Sequence, residues 1–134
     1  MIIVLDTNVL VSGALNPFGK PAAIIRLIIE GRIKLAYDAR IVTEYEEVLL
    51  RPKFPFSEEQ VAAIFDQVMR DGLSVSGLPS PVKLPDPDDE MFLEVALSGQ
   101  AAAIVTGNKD HFPKDCCHKI RVFSPTEFLD FFHS

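Results

Sequence analysis

Short apolar runs alternate with stretches of helical spacing along this chain. Residues 1–5, 33–37, 101–106 and 120–123 are strand-length and lack the polar–apolar alternation of a half-exposed strand, and 73–76 adds a further short strand candidate. A strand covered on both faces has no need of that alternation. Runs of this kind separated by helices predict a central, mostly parallel sheet with helices on both sides, a three-layer α/β/α arrangement. The 134 residues suit one compact unit, and no repeat or shift in composition divides them. Residues 1–134 are therefore read as a single domain.

Caps and apolar stripes mark the helices. Pro21 suits the first turn of a helix to about residue 30, with Gly31 just past its end. Residues 39–50 carry Ile41, Val42, Tyr45, Val48 and Leu49 at helical spacing, and Pro52 stops them. Ser57 and Gln60 have the spacing of a capping box, and Val61, Ile64, Phe65, Val68 and Met69 follow as a stripe. That stripe is read as core rather than as a dimer face. Residues 77–87, with Pro79, Pro81, Pro85 and Pro87, read as a loop. Asp86 and Pro87 then open a helix to about residue 98. Residues 108–118 are irregular, and Ser124-Pro125 starts a last helix through Phe132.

Composition removes several classes. With 48% apolar and 24% charged residues the chain is not disordered by default. Its apolar runs fall far short of the ~20 residues of a membrane-spanning helix. No basic leader precedes Asp6, so the expectation is a cytoplasmic protein without a signal peptide. Cys116 and Cys117 are adjacent, could pair only through a strained ring, and are read as thiols. Cys and His are too few for a structural zinc site. The 19 acidic against 13 basic residues, a formal net charge of −6, argue against a broad basic face for duplex DNA. They leave room for a nuclease, because carboxylates gathered around metal ions also make the count negative.

In an open parallel sheet, ligands bind beyond the carboxyl ends of the strands. Asp6, Thr7 and Asn8 follow the first run; Gly107, Asn108 and Asp110 follow the fourth. Asp6 also reads as a helix N-cap. Phe92, Leu93 and Ala96 lie three, four and seven positions after Asp89, which puts Asp89 on the apolar side of its helix. A carboxylate aimed at a core needs a partner, a proton or a metal, although first-turn acids are also favoured by the helix dipole. Glu44 and Glu46 lie on opposite rims of the 39–50 stripe, and periodicity does not choose between them. Oxygen ligands with little Cys or His suit Mg²⁺ or Mn²⁺, and such ions activate water against phosphodiesters. Lys109 and Lys114 border the site region. His111, His118 and His133 read as surface or packing residues.

These segments, in order, resemble the motifs of PIN domains. They are Ile3-Val4-Leu5-Asp6-Thr7-Asn8-Val9-Leu10; Glu44-Tyr45 with Val48-Leu49; Asp86-Pro87-Asp88-Asp89 before Phe92-Leu93 and Ala96; and Ile104-Val105-Thr106-Gly107-Asn108. Pro-Lys-Phe at 52–54 and the Ser-Pro-Thr-Glu-Phe-Leu ending resemble a branch described as toxin components of toxin–antitoxin modules. The resemblance implies a Mg²⁺- or Mn²⁺-dependent endoribonuclease, a cognate antitoxin covering the acidic site, and a homodimer. It assigns Asp6, Glu44 and Asp89 as the core acids, and so takes Glu44 over Glu46. Asn108 stands where many members carry a fourth acid; its carbonyl can meet a cation, and Asp110 can take the acidic place. The expected catalytic set is thus Asp6, Glu44, Asp89 and Asp110, with metal on Asp6, Glu44, Asp89 and Asn108. Thr7, Asn8, Thr106, Asn108 and Lys109 would orient these groups or meet substrate. Asn108 keeps open an inactive PIN-like binding domain. Asp6, Thr106 and Lys109 also resemble a phospho-acceptor domain, which usually has an acidic pair where only Asp6 is present.

Overall fold

The structure is a computed structural model, and it describes every residue except 81, 116 and 118. Five parallel strands form the sheet: β1 (Ile2–Leu5), β2 (Lys34–Tyr37), β3 (Leu73–Ser74), β4 (Ala103–Val105) and β5 (Arg121–Phe123). Their spatial order is β3-β2-β1-β4-β5. The helices are α1 (Thr7–Leu15), α2 (Lys20–Ile29), α3 (Ala39–Leu49), α4 (Glu58–Val68), α5 (Glu90–Ser98) and α6 (Pro125–His133). This is the α/β/α architecture expected from the apolar runs, with the strands parallel throughout.

Burial explains why the runs lack alternation. Ile3, Val4 and Leu5 of β1 and Ala103, Ile104 and Val105 of β4 are all 0% exposed, so both sides of each strand need apolar side chains. The sheet edges differ. Both residues of β3 are exposed, and β5 is half-buried behind an exposed Arg121. From β1 the chain builds outward to β3, then returns to lay β4 against the other side of β1. The sheet thus reverses its direction of growth between β1 and β4, where ligand crevices form.

The helix signals hold in detail. Capping boxes close at Ser57/Gln60 and at Ser124/Glu127. Val61 and Val68 of α4 are buried, and Ile64, Phe65 and Met69 pack against the core, as the stripe requires. Gly31, past α2, takes a φ of +76°, which favours glycine. At Gly72 a Cβ would stand 2.8 Å from the Leu35 carbonyl oxygen, so only glycine lets this connection approach β2. The helix expected from Asp86 is instead split in two. Asp86 accepts the Asp88 N–H at 2.9 Å and its carbonyl accepts the Asp89 N–H at 3.1 Å, making a tight 3₁₀ turn over Pro87–Asp89 before α5 begins. A second 3₁₀ turn, Lys109–His111, interrupts the irregular stretch after β4. Cys117 is buried; Cys116 and His118, named in the sequence reading, lie outside the described residues. Among the described residues, no helix is long and apolar enough to cross a membrane.

One side chain ties the helical layer to the central strand. Tyr45 of α3 is fully buried, and its hydroxyl donates to the carbonyl of Leu5, the last residue of β1. Tyr45→Phe leaves that buried carbonyl without its donor. It is expected to lower unfolding stability by about 1–2 kcal/mol at unchanged m in a urea titration; an unchanged midpoint would show that the bond carries no net stability.

Candidate active site

Three acids converge at the carboxyl ends of β1 and β4, each held by a different element. Asp6 is the residue after β1 and the N-cap of α1. Its N–H donates to the Val105 carbonyl at 2.9 Å, which continues the β1–β4 pairing through the acid itself. Its side chain accepts the Thr106 hydroxyl at 2.7 Å, and both residues are buried. Burial raises the Asp6 pKa. The Thr106 hydroxyl, the Thr7 and Asn8 backbone N–H groups and the charge of His111 oppose the rise.

Asp89 closes the 3₁₀ turn that leads into α5, and its side chain is 13% exposed. Its pKa is pushed up to about 6 by burial first and by the charge of Asp6 second. Asp86 and Glu44 add to the rise, and His111 opposes it. His111 Nδ1 stands 3.2 Å from Asp89 Oδ2. The contact lacks hydrogen-bond geometry, so this buried oxygen has no hydrogen-bond partner among the described residues. A lone pair buried in this way is costly unless a proton or a cation meets it.

Glu44, on α3, accepts a short hydrogen bond from the Thr7 hydroxyl. It faces a polar recess of about 260 Å³ shared with Arg40, Asp88, Glu90 and Glu94. Glu46 is exposed and opens on a different cavity, between α3 and α4, with Glu58 and Asp66. The two acids that periodicity left open thus differ in their contacts: Thr7, next to Asp6, reaches Glu44, and Glu46 lies away from it. Arg40 braces the same region. Its guanidinium is 2.7 Å from both Asp38, which caps α3, and Glu94 of α5, so it bridges the helices carrying Glu44 and following Asp89.

The loop after β4 is less simply placed. Asn108 is exposed; its Oδ1 accepts the Asp110 N–H at 3.2 Å and its Nδ2 lies 3.1 Å from His111 Nε2. Asn8 is exposed and its Oδ1 accepts the Gly107 N–H at 3.3 Å, which fastens this loop to α1. Asp110 is exposed and lines a separate cavity along β5. Lys109 pairs with Glu127 of α6 at 3.0 Å. His111, set aside in the sequence reading, stands beside Asp89. Its only sequence signal is its place three residues after Asn108, one turn of a 3₁₀ helix.

The donor set fits a hard divalent cation. Asp6, Asp89 and Glu44 offer carboxylate oxygens, and Asn108 offers an amide carbonyl at the margin. Among the described residues, no three carboxylate or imidazole groups converge closely enough to cage an ion unaided. The starting points of α1 and α5 add the positive ends of two helix dipoles beside Asp6 and Asp89.

Comparison with known proteins agrees with this geometry. The PIN domain family matches residues 2–110. An uncharacterized protein of Methanocaldococcus jannaschii is 31% identical over 111 residues, covering 81% of this chain and 71% of that protein. A crystal structure of FitAcB from Neisseria gonorrhoeae is similar in fold, with a TM-score of 0.56 and 17% identity; it covers 92% of this chain and 98% of that one.

The raised pKa of Asp89 has a signed consequence. Its carboxyl binds a proton more tightly folded than unfolded, so the stability it contributes is present below its ordinary pKa of 3.8 and is lost as pH rises to about 6. Asp89→Asn removes that loss. In metal-free buffer the variant is expected to be more stable than wild type at pH 7, by on the order of 1–3 kcal/mol, with the gap closing toward pH 4. Thermal melts across this range check it. Mg²⁺ should stabilise the wild type more than the variant.

Proposed function

Because the chain belongs to the PIN domain family, whose members are generally nucleases, we propose that it is a Mg²⁺- or Mn²⁺-dependent endoribonuclease and the toxin of a toxin–antitoxin pair. The observation that carries the reading is Asp89 Oδ2, buried without a hydrogen-bond partner in the field of Asp6 and Glu44. A site that sets acids against one another, at the crevice where ligands enter such sheets, is built for a cation rather than for a neutral ligand.

Asp6, Asp89 and Glu44 would hold that ion, with Asn108 at its edge. A bound divalent cation lowers the pKa of its water and balances charge on the leaving oxygen of a phosphodiester. The remaining work falls to the chain. Thr106 fixes one Asp6 oxygen by donating to it, and Thr7 does the same for Glu44. Asn8 holds Gly107, and through it the loop that carries Asn108 and Lys109. Asp110, which lines the neighbouring cavity, is the acid of the loop after β4 and would act on the site through water. A cytoplasmic setting, a homodimer and an antitoxin covering the acids belong to the same reading, and rest on the resemblance of the motifs.

The test is cleavage of a pool of single-stranded and structured RNAs with Mg²⁺, with Mn²⁺ and with chelator. Metal-dependent cleavage is expected, and Asp6→Asn or Asp89→Asn should abolish it while circular dichroism stays unchanged. Thr106→Val keeps every proposed ligand and loses only the orientation of Asp6; it is expected to lower activity about 10- to 100-fold. Wild-type rates in both acid variants would sink the assignment. Metal binding without cleavage would favour the inactive binding domain that Asn108 keeps in view.

A further inference from the structure

Along the edge strand β5 runs a recess of about 810 Å³, separate from the polar recess at Glu44. Lys109, Lys114, Lys119 and Arg121 line it, and so do the apolar side chains of Phe112, Ile120 and Phe123. Asp110 is the acid among its described lining residues. Four cations around one recess stand out in a chain whose formal net charge is −6. They are not equally engaged. Lys109 is 3.0 Å from Glu127, and the Arg121 guanidinium lies 4.9 Å from the Phe131 ring centre, a contact that leaves its charge in place. Lys114 and Lys119 are exposed and form no ion pair with any described residue.

Exposed lysines alone mean little. Here two further observations give them direction. The first is the apolar lining, which a purely phosphate-binding surface would not need. The second is continuity with the acids. The 3₁₀ turn Lys109–His111 borders both places, since His111 stands 3.2 Å from Asp89 while Lys109 and Asp110 line the recess.

We propose that this recess carries an unpaired stretch of the RNA strand whose scissile phosphate lies at the acids. The identity of the polymer rests on the nuclease reading above. Unpaired nucleotides present phosphates to cations and base faces to apolar side chains together. A duplex presents phosphates and sugars with its base faces hidden, and gains nothing from the half-buried Ile120 and Phe123. The recess thereby selects for substrates with an unpaired segment beside the cut. An acidic peptide could use the same four charges, but it has no reason to lead into a cluster of carboxylates.

The test uses a fluorescein-labelled 12-nucleotide RNA without secondary structure, and the same length as a hairpin duplex. Binding is followed by anisotropy in chelator, where cleavage is silent; every protein compared carries the same acids, so differences isolate the lysines. The wild type is expected to bind the unpaired RNA more tightly than the hairpin. Lys114→Glu/Lys119→Glu is expected to weaken the unpaired RNA by about tenfold or more, and to shallow the salt dependence by about one to two in log–log slope. Its melting temperature should not change, because both side chains are exposed. With metal present the same variant should lose kcat/KM chiefly through KM. Unchanged binding of the unpaired RNA overturns the proposal, and so does a variant that keeps RNA but loses a labelled polyglutamate peptide, which would give the recess to a protein partner. Unchanged binding by the variant beside intact wild-type cleavage removes only the strand path; weakened binding by the variant beside a wild type that cuts nothing keeps the path and removes the nuclease reading.

Discussion

The central strand is sealed on both faces, so its chemistry can leave only at its carboxyl end. Ile3, Val4 and Leu5 are fully buried, and β2 and β4 occupy the two edges of β1. Asp6 is the first side chain past this seal. Its backbone still pairs with Val105, so the acid is placed with the rigidity of the sheet rather than that of a loop. Thr106 arrives from β4 by the same geometry, one residue past the pairing, and meets it. The rest of the site is assembled around that pair: α1 starts there, α3 is fastened to Leu5 through Tyr45, and α5 follows the turn that ends at Asp89.

That rigidity has an electrostatic cost. Two carboxylates that could swing apart would keep ordinary pKa values. Burial raises Asp6, and burial together with the charge of Asp6 raises Asp89, because their supports keep both in place. Solvation that the backbone and Thr106 supply to Asp6 is missing at Asp89 Oδ2, where the imidazole of His111 is near without bonding. The imbalance makes Asp89 the group whose state reports most directly on what occupies the site.

Asp6 and Asp89 were legible in the sequence because their signals are local: an acid directly after an apolar run, and an acid in phase with Phe92, Leu93 and Ala96. The signal at Asp89 survived even though the turn there is 3₁₀ rather than α, because Pro87 and the Asp86 cap shift the backbone without turning the acid out to solvent. Glu44 was not legible from periodicity, since Glu46 sits on the opposite rim; the motif resemblance singled it out, and its contact with Thr7 comes from thirty-seven positions away in sequence. His111 was hidden for a related reason. Its neighbours in the site come from β4's exit and from the α5 start, and no apolar pattern marks a ring placed by a single 3₁₀ turn. The strands at β3 and β4 are shorter than their apolar runs, because Val75 continues the run after β3 and Ala101 and Ala102 precede β4.

Arg40 holds a different consequence. By gripping Asp38 at the start of α3 and Glu94 within α5, it makes one frame of the two helices that flank the acids. Clefts formed between independently moving parts meet an ion by closing on it, and their binding heat is mixed with that of the motion. A braced cleft has little left to rearrange. A ligand that enters such a cleft would have to fit a spacing the two helices already hold, so discrimination among ligands would rest on their size and hydration more than on a change of shape in the protein.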